Sequence, residues 1–144
     1  MDEDCGTAGS VVLIRKELDS LKTVFHKYPE IKLVYFFGSR AKQSYGPLSD
    51  YDFAVYFDKI KADRMFSIKL DLIPQISRIL KTDRVDIVIL NVTKSPELKY
   101  AILKEGILIL EKEPFKVMVE PKIMNEYFDF HKTLLKYGLT QASA

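Results

Sequence analysis

The apolar positions near the start of the chain recur with the period of a helix. Steps of three and four residues separate Val11, Ile14, Leu18, Leu21, Phe25 and Tyr28. They therefore lie on one face of a helix that begins after Ser10, a good capping residue. Pro29 ends this helix, because the residue before a proline is pushed out of the helical region. Residues 31–37 then form an apolar, β-prone run, and its short length predicts a buried strand.

The middle of the chain alternates between strand and helix patterns. Residues 43–49 contain a Gly-Pro turn signal and predict a loop, and residues 51–57 show the alternation of a strand. A helical stripe runs over residues 63–80, and Pro74 is expected to kink this helix or to split it in two. Residues 85–90 predict a third strand.

The last third of the chain continues the alternation. Ser95 followed by Pro96 is a strong helix start, and Gly106 closes that helix before a fourth strand at residues 107–110. A last amphipathic helix follows Pro121. Strands and helices are therefore interleaved. This order predicts an α/β (α+β) fold with a small mixed sheet of about four strands, flanked by helices.

Size and composition restrict the class of protein. The 144 residues are enough for one domain with a modest core, and 47% apolar residues exclude a disordered chain. We expect residues 1–10 to be a flexible leader and residues 11–144 to form a single domain that ends in the C-terminal helix. The single cysteine excludes a disulfide within the chain.

Charge and hydropathy exclude further classes of protein. The net charge is only +2 and no stripe of Lys and Arg stands out, so direct binding of nucleic acid is not expected. No segment approaches the roughly 20 apolar residues that span a bilayer. The acidic start lacks the basic and apolar regions of a signal peptide, so we expect a cytoplasmic protein. The sequence leaves the formation of a homo-oligomer open.

A glycine-serine pair ends the first predicted strand. Gly38 lets the backbone turn sharply and approach a ligand closely. Free N–H groups at such a turn, together with the Ser39 hydroxyl, can hold phosphate oxygens. Arg40 or Lys42 can add positive charge there. Taken alone, the pair is also typical of an ordinary turn at the end of a strand.

Two aspartates flank Tyr51 at the start of the second predicted strand. Asp50 and Asp52 are two residues apart, so their carboxylates point to the same face, roughly 6–7 Å apart along the chain. Two anions on one face repel each other unless a cation lies between them. Mg²⁺ prefers oxygen ligands and is the cation that such a pair suits. Taken alone, the pair is more typical of solvated acids at the start of a strand than of a metal site.

A third aspartate interrupts the apolar third strand. An unpaired carboxylate in a buried strand is costly. Asp86 therefore either pairs with a cation such as Arg84 or faces a metal ion. Because Val88 and Leu90 share its face, we expect Asp86 at the rim where that face opens.

The three elements together resemble a known family. Gly38-Ser39, ten residues and then Asp50-Tyr51-Asp52 are similar to the signature of the DNA polymerase beta-like nucleotidyltransferase superfamily. Asp86 on a later strand resembles the third carboxylate of that superfamily. The small size of the chain and Arg40-Ala41 after the glycine-serine pair resemble the minimal nucleotidyltransferase (MNT) antitoxins. The resemblance covers about residues 31–112.

The resemblance implies a reaction and a set of roles. The reaction is the transfer of AMP from ATP to a hydroxyl, with release of pyrophosphate. Asp50, Asp52 and Asp86 would be the catalytic acids that hold two Mg²⁺ ions, and the Gly38–Arg40 segment would bind the nucleotide. Many relatives carry a second glycine where this chain has Gln43, which implies a stiffer loop here.

The resemblance also implies a partner. MNT antitoxins are encoded beside HEPN toxins, which are ribonucleases, and some attach AMP to a tyrosine of the toxin. A tyrosine of a HEPN toxin is therefore the expected acceptor. Two alternatives stay open. The chain could be a non-catalytic antitoxin that neutralises its partner by covering it, or an aminoglycoside-type adenylyltransferase that acts on a small molecule.

Overall fold

The computed structural model of the protein describes residues 15–38, 40–41 and 50–138. In chain order the elements are α1 (Arg15–His26), β1 (Ile31–Phe37), β2 (Tyr51–Phe57), α2 (Ala62–Leu80), β3 (Val85–Ile89), α3 (Pro96–Glu105), β4 (Ile107–Glu111) and α4 (Phe115–Lys136). The predicted start of the first helix, after Ser10, lies outside the described residues, as does the predicted loop at residues 43–49.

The four strands form one mixed sheet in the order β3-β2-β1-β4. β1 pairs antiparallel with both β2 and β4, whereas β2 and β3 run parallel. A parallel pair needs a crossover connection, and α2 supplies it between β2 and β3. The predicted mixed sheet of about four strands, flanked by helices, is confirmed.

Alternation along β2 divides the core between the two faces of the sheet. Phe53, Val55 and Phe57 are buried on the face that α1 and α2 cover. Ala54 and Tyr56 point to the opposite face, which packs against α3 and α4. Side chains two residues apart share a face, so Asp52 lies on the α3/α4 face as well.

Pro74 and Pro121 lie inside helices, at positions where the sequence pattern predicted a disturbance or a helix start. α2 continues through Pro74 without a break, and α4 begins at Phe115 rather than after Pro121. A proline leaves the carbonyl four residues earlier without its helical donor. Those positions are Leu70 and Val117, which are 69% and 72% exposed, so water can solvate the carbonyls. The predicted start of the last helix was therefore wrong, and α2 is not split.

The start of α3 follows the predicted signal. The Ser95 hydroxyl accepts a hydrogen bond from the Leu98 N–H at 3.1 Å, and Pro96 occupies the first turn. A capping oxygen satisfies one of the amide donors that a helix start leaves without a partner. No helix in the described part of the chain is long and apolar enough to cross a membrane.

Candidate functional site

Parallel pairing brings two of the predicted acids side by side. Asp52 of β2 is the direct partner of Asp86 in β3. Neighbouring strands are about 4.8 Å apart, so the two carboxylates start from adjacent backbone positions. Their neighbours Phe53 and Ile87 are buried on the other face of the sheet, which places both acids on the α3/α4 face. The pairing therefore places the two carboxylates on the same face of the sheet, at neighbouring backbone positions.

Burial and the neighbouring acids change the pKa of Asp52. Burial raises the pKa of the Asp52 carboxyl above its ordinary value, and the negative charges of Asp50 and then Asp86 raise that pKa further. Both causes disfavour the ionised form. A bound cation would reverse them, because it would offset the like charges and replace the lost hydration.

Asp50 forms an exposed ion pair with Arg84. Its Oδ1 lies 3.6 Å from Nη1 of Arg84, and both side chains are about half exposed. The sequence offered Arg84 as a partner of Asp86, so that alternative was wrong. Asp86 instead accepts the N–H of Ile87 through Oδ1 at 2.9 Å. An exposed ion pair contributes little stability, so Asp50 can leave Arg84 at small cost.

Gly38 forms the wall against which Asp52 lies. Its φ of 90° falls in the left-handed region, and a Cβ atom added there would meet Oδ2 of Asp52 at 2.4 Å. The Gly38 carbonyl accepts the N–H of Ala41 at 3.1 Å, which closes a turn directly after β1. Glycine is thus required both by the turn and by the close approach of the carboxylate. Ser39 and Lys42 lie outside the described residues.

Arg40 contacts a residue that the sequence analysis did not single out. Its guanidinium carbon lies 4.3 Å from the centre of the Tyr51 ring, and its Nη1 donates to the Tyr51 hydroxyl at 3.4 Å. The signal for this contact is present in the Asp-Tyr-Asp motif. In a strand the residue between the two acids must point to the opposite face, where a tyrosine ring can stack on a nearby arginine.

A polar cavity opens beside the acids. It measures about 450 Å³ and is lined by Asp50, Asp83, Arg84, Val85 and Asp86. Ligand pockets commonly measure 300–1,000 Å³, so the cavity is large enough for a small molecule. Its lining of three acids and one arginine suits a charged ligand with a counter-ion better than an apolar one.

The acids fit a divalent cation in chemical kind. Carboxylate oxygens are the ligands that Mg²⁺ prefers. Within the residues that the structure describes, no three His, Cys, Asp or Glu side chains stand close enough together to hold a metal ion. Asp50 is turned toward Arg84, and it would have to leave that ion pair to join Asp52. Asp52 already responds to the charges of both other acids.

The family follows from a match across most of the fold. Residues 19–115 match the family model described as polymerase beta, nucleotidyltransferase. The chain belongs to this nucleotidyltransferase family. The matched segment contains the turn at Gly38 and all three aspartates, so the site described above lies inside the family domain. No curated protein sequence matches the chain.

Solved structures share the nucleotidyltransferase fold with this chain. A chain of the MntA-HepT toxin-antitoxin structure is 18% identical, with a TM-score of 0.65 over 85% of this chain and 94% of that one. A toxin-antitoxin structure with AMP-PNP gives 19% identity and a TM-score of 0.67 over 83% and 94%. The tri-AMPylated Shewanella oneidensis HEPN toxin in complex with an MNT antitoxin gives 18% and 0.64 over 85% and 93%. At these identities the likeness shows the fold.

Proposed function

We propose that this nucleotidyltransferase moves AMP from ATP to a hydroxyl group and releases pyrophosphate. The observation that supports it most is the parallel pairing of Asp52 with Asp86, against the turn at Gly38. Like charges placed together at a turn stabilise nothing by themselves, and perturbed carboxylates of this kind are typical of functional sites. Membership of the family supplies the reaction class.

Each residue then has a role. Gly38 and Ser39 seat the terminal phosphates, because a turn with free N–H groups favours phosphate oxygens. Arg40 adds positive charge beside them. Asp50, Asp52 and Asp86 hold Mg²⁺, which when bound supplies positive charge to the triphosphate.

Asp86 acts on the acceptor. It is the more exposed member of the Asp52–Asp86 pair, so an incoming hydroxyl can reach it. Asp86 orients that hydroxyl and accepts its proton as the oxygen attacks the α-phosphorus. The new bond joins the acceptor oxygen to that phosphorus, and the bond to the β-phosphate oxygen breaks. The leaving group is pyrophosphate.

The proposed acceptor is a tyrosine of a HEPN toxin. Three observations support it. The chain shares its fold with antitoxin chains of nearly the same length. One of these structures contains AMP-PNP, an ATP analogue. Another pairs an MNT antitoxin with a HEPN toxin that carries AMP. The chain described here would accordingly be the antitoxin of such a pair, with ATP as its substrate.

The test is a labelling experiment with a matched variant. The protein is co-purified with the HEPN-domain protein encoded nearest to it, and the complex is incubated with Mg²⁺ and ATP labelled at the α-phosphate. We expect label on a toxin tyrosine, identified by mass spectrometry, and loss of that label with Asp52→Asn. Asp71→Asn is the control, because Asp71 is an exposed aspartate of α2 that lies outside the cavity, and this variant should keep the label.

Other outcomes of the same experiment identify the alternatives. A stable complex without label on any residue would refute enzymatic transfer and indicate an antitoxin that acts by covering its partner. Label on an aminoglycoside, but not on the HEPN protein, would refute the proposed acceptor and indicate a small-molecule adenylyltransferase.

A further inference from the structure

Tyr51 lies between Asp50 and Asp52 in the sequence and points to the face of the sheet opposite Asp52. Residues next to each other in a strand face opposite sides of the sheet, so Tyr51 packs on the α1/α2 side while Asp52 faces α3 and α4. The Tyr51 ring stacks on Phe36 of β1, with ring centres 6.1 Å apart and an angle of 23° between the planes. Phe36 is almost fully buried, so the ring of Tyr51 has a fixed support.

Arg40 rests on that supported ring. The distance from the guanidinium carbon to the ring centre is 4.3 Å, well within the range of a cation–π interaction. The guanidinium also donates to the Tyr51 hydroxyl at 3.4 Å. These two contacts with one tyrosine help to fix the position and the direction of the arginine.

The Arg40–Tyr51 contact connects the turn after β1 to the start of β2, which backbone pairing in the sheet does not connect. Backbone pairing between β1 and β2 ends with Phe37 opposite Asp52, and the turn from Gly38 to Ala41 lies beyond it. Ala41 anchors the far side of the turn, because its side chain is 6% exposed and lies in the α1/α2 core. The Arg40–Tyr51 contact is therefore a second attachment of the turn to the strand that carries the aspartates.

We propose that Tyr51 is a positioning residue, which holds Arg40 and the phosphate-seating turn in a fixed relation to the aspartates. This inference rests on the proposed function. Arg40 lies beside Tyr51 on the α1/α2 side, opposite Asp52. The tyrosine thus keeps the positive charge at the turn, where phosphates would bind, and directs it away from the carboxylates, which it could otherwise neutralise.

The expected signature is a change in KM for ATP with little change in kcat. The turn and Arg40 would bind the triphosphate in the ground state and in the transition state alike, and loss of such binding raises KM alone. For Tyr51→Leu we expect KM for ATP to rise roughly two- to fivefold, the size expected for the loss of a solvent-exposed cation–π contact. Tyr51→Phe keeps the ring and should restore most of the wild-type KM.

A double-mutant cycle tests whether Tyr51 acts through Arg40. Arg40→Met should raise KM for ATP, and adding Tyr51→Leu to Arg40→Met should raise it no further. Equal, additive effects would overturn the proposal. Tyr137→Leu is the matched control, because Tyr137 is exposed and carries a similar contact with Lys136 at 5.5 Å, far along the chain from the turn. This control should leave KM unchanged.

Two further measurements separate this inference from the proposed function. Ring-current shifts of the Arg40 guanidinium protons, followed by NMR, should disappear in Tyr51→Leu whether or not the protein is active. Calorimetric titration with ATP and Mg²⁺ should show the weakened binding directly. If binding weakens but no acceptor is ever labelled, the proposed function fails and the positioning role stands.

The opposite pattern would overturn the positioning role. If transfer occurs normally and Tyr51→Leu leaves KM for ATP unchanged, or lowers kcat alone, Tyr51 does not position Arg40 for ATP. Should Tyr51→Leu fail to fold, Arg40→Met carries the test, since it changes a residue outside the helices and strands. An unchanged KM in Arg40→Met overturns the proposal as well.

Discussion

Tyr35 and Asp52 are polar residues on the same face of the sheet, but Tyr35 has a matched partner and Asp52 has like charges as its neighbours. Tyr35 of β1 is 2% exposed, and its hydroxyl donates to a carboxylate oxygen of Glu120 in α4 at 2.5 Å. Its strand partner is Ala54, only two residues from Asp52. Asp52, by contrast, faces the like charges of Asp50 and Asp86. One group is a matched donor and acceptor, and the other is a set of mutually repelling acids.

Burial acts on both groups, but only one of them gains from its partner. Burial raises the pKa of Tyr35, and the hydrogen bond to Glu120 raises it further by favouring the neutral hydroxyl. Burial also raises the pKa of Asp52, and its neighbours add repulsion rather than a bond. The covered part of the face therefore completes its polar pairs. At the strand ends the fold tolerates an unfavourable group, which is typical of sites that a ligand completes.

Asp52→Asn should show the largest effect on function. The change removes a negative charge from the acid cluster and keeps the size of the side chain. We expect AMP transfer to fall by at least about 1,000-fold, the order expected for a group that stabilises transition-state charge. The unfolding temperature without added metal should not fall, because the repulsion is relieved. Transfer is measured with labelled ATP and unfolding by circular dichroism; substantial transfer by this variant would contradict the site assignment.

Gly38→Ala should damage both function and stability. The added Cβ would lie 2.4 Å from Oδ2 of Asp52, so the carboxylate or the turn must move. A displacement of this kind costs up to about 100-fold in rate, and we expect about 1–3 kcal/mol of lost stability. Gly138→Ala is the control: its φ of 66° is also positive, but an added Cβ there meets nothing within 4 Å. Equal effects of the two variants would mean that backbone strain alone is responsible.

Tyr35→Phe should lower stability and spare function. It removes the donor to Glu120 and leaves that carboxylate without its partner, at a cost of about 1–3 kcal/mol in the free energy of unfolding. Urea denaturation measures this cost, and the rate of AMP transfer should stay close to that of the wild type. Tyr137→Phe, at an exposed position, should change neither quantity. A large loss of transfer in Tyr35→Phe would contradict this prediction. It would mean that the Tyr35–Glu120 pair also contributes to the function of the aspartate site.

The smallest expected effect is a pH dependence of stability that comes from Asp52. Its pKa is raised in the folded chain, so the folded state binds the proton more tightly than the unfolded state, where the pKa is near 3.8. The stabilising contribution of protonation is complete below that value and is lost as pH rises through the folded-state pKa. Without metal, Asp52→Asn should therefore gain stability over the wild type as pH rises. Parallel pH profiles of the two proteins would contradict this.

Local sequence patterns predicted most of the helices and strands. They failed where the solvent exposure of the backbone around a proline decided whether a helix continues. Both strands β1 and β2 were predicted with their observed bounds, because alternation and length are properties of a short segment. Pro121 misled the prediction of where the last helix begins, and α2 continues through Pro74 without being split. A helix tolerates a proline more readily where the position of the orphaned carbonyl is exposed to water, and that exposure is known only once the helix is packed.

The candidate site also has features that the sequence predicts and contacts that only the packed chain shows. Strand geometry predicts Asp50 and Asp52 on one face, but β2 begins only at Tyr51 and Asp50 lies toward Arg84, so that placement stays a prediction. The glycine-serine pair marks a turn by chemistry alone. The partner of Arg84 was mistaken, because two acids were within its reach and only the packed chain shows that it pairs with Asp50. The contact of Arg40 with Tyr51 was missed for a similar reason.

By itself the sequence determined most of the helices and strands, and which residues of a strand share a face, since these depend on neighbours a few positions away. The tertiary structure alone decided that β2 and β3 pair in parallel, with Asp52 opposite Asp86. That register depends on how α2 crosses the sheet and which apolar face each strand buries. Contacts between distant segments follow from the packing of the whole core, and no local pattern of residues contains them.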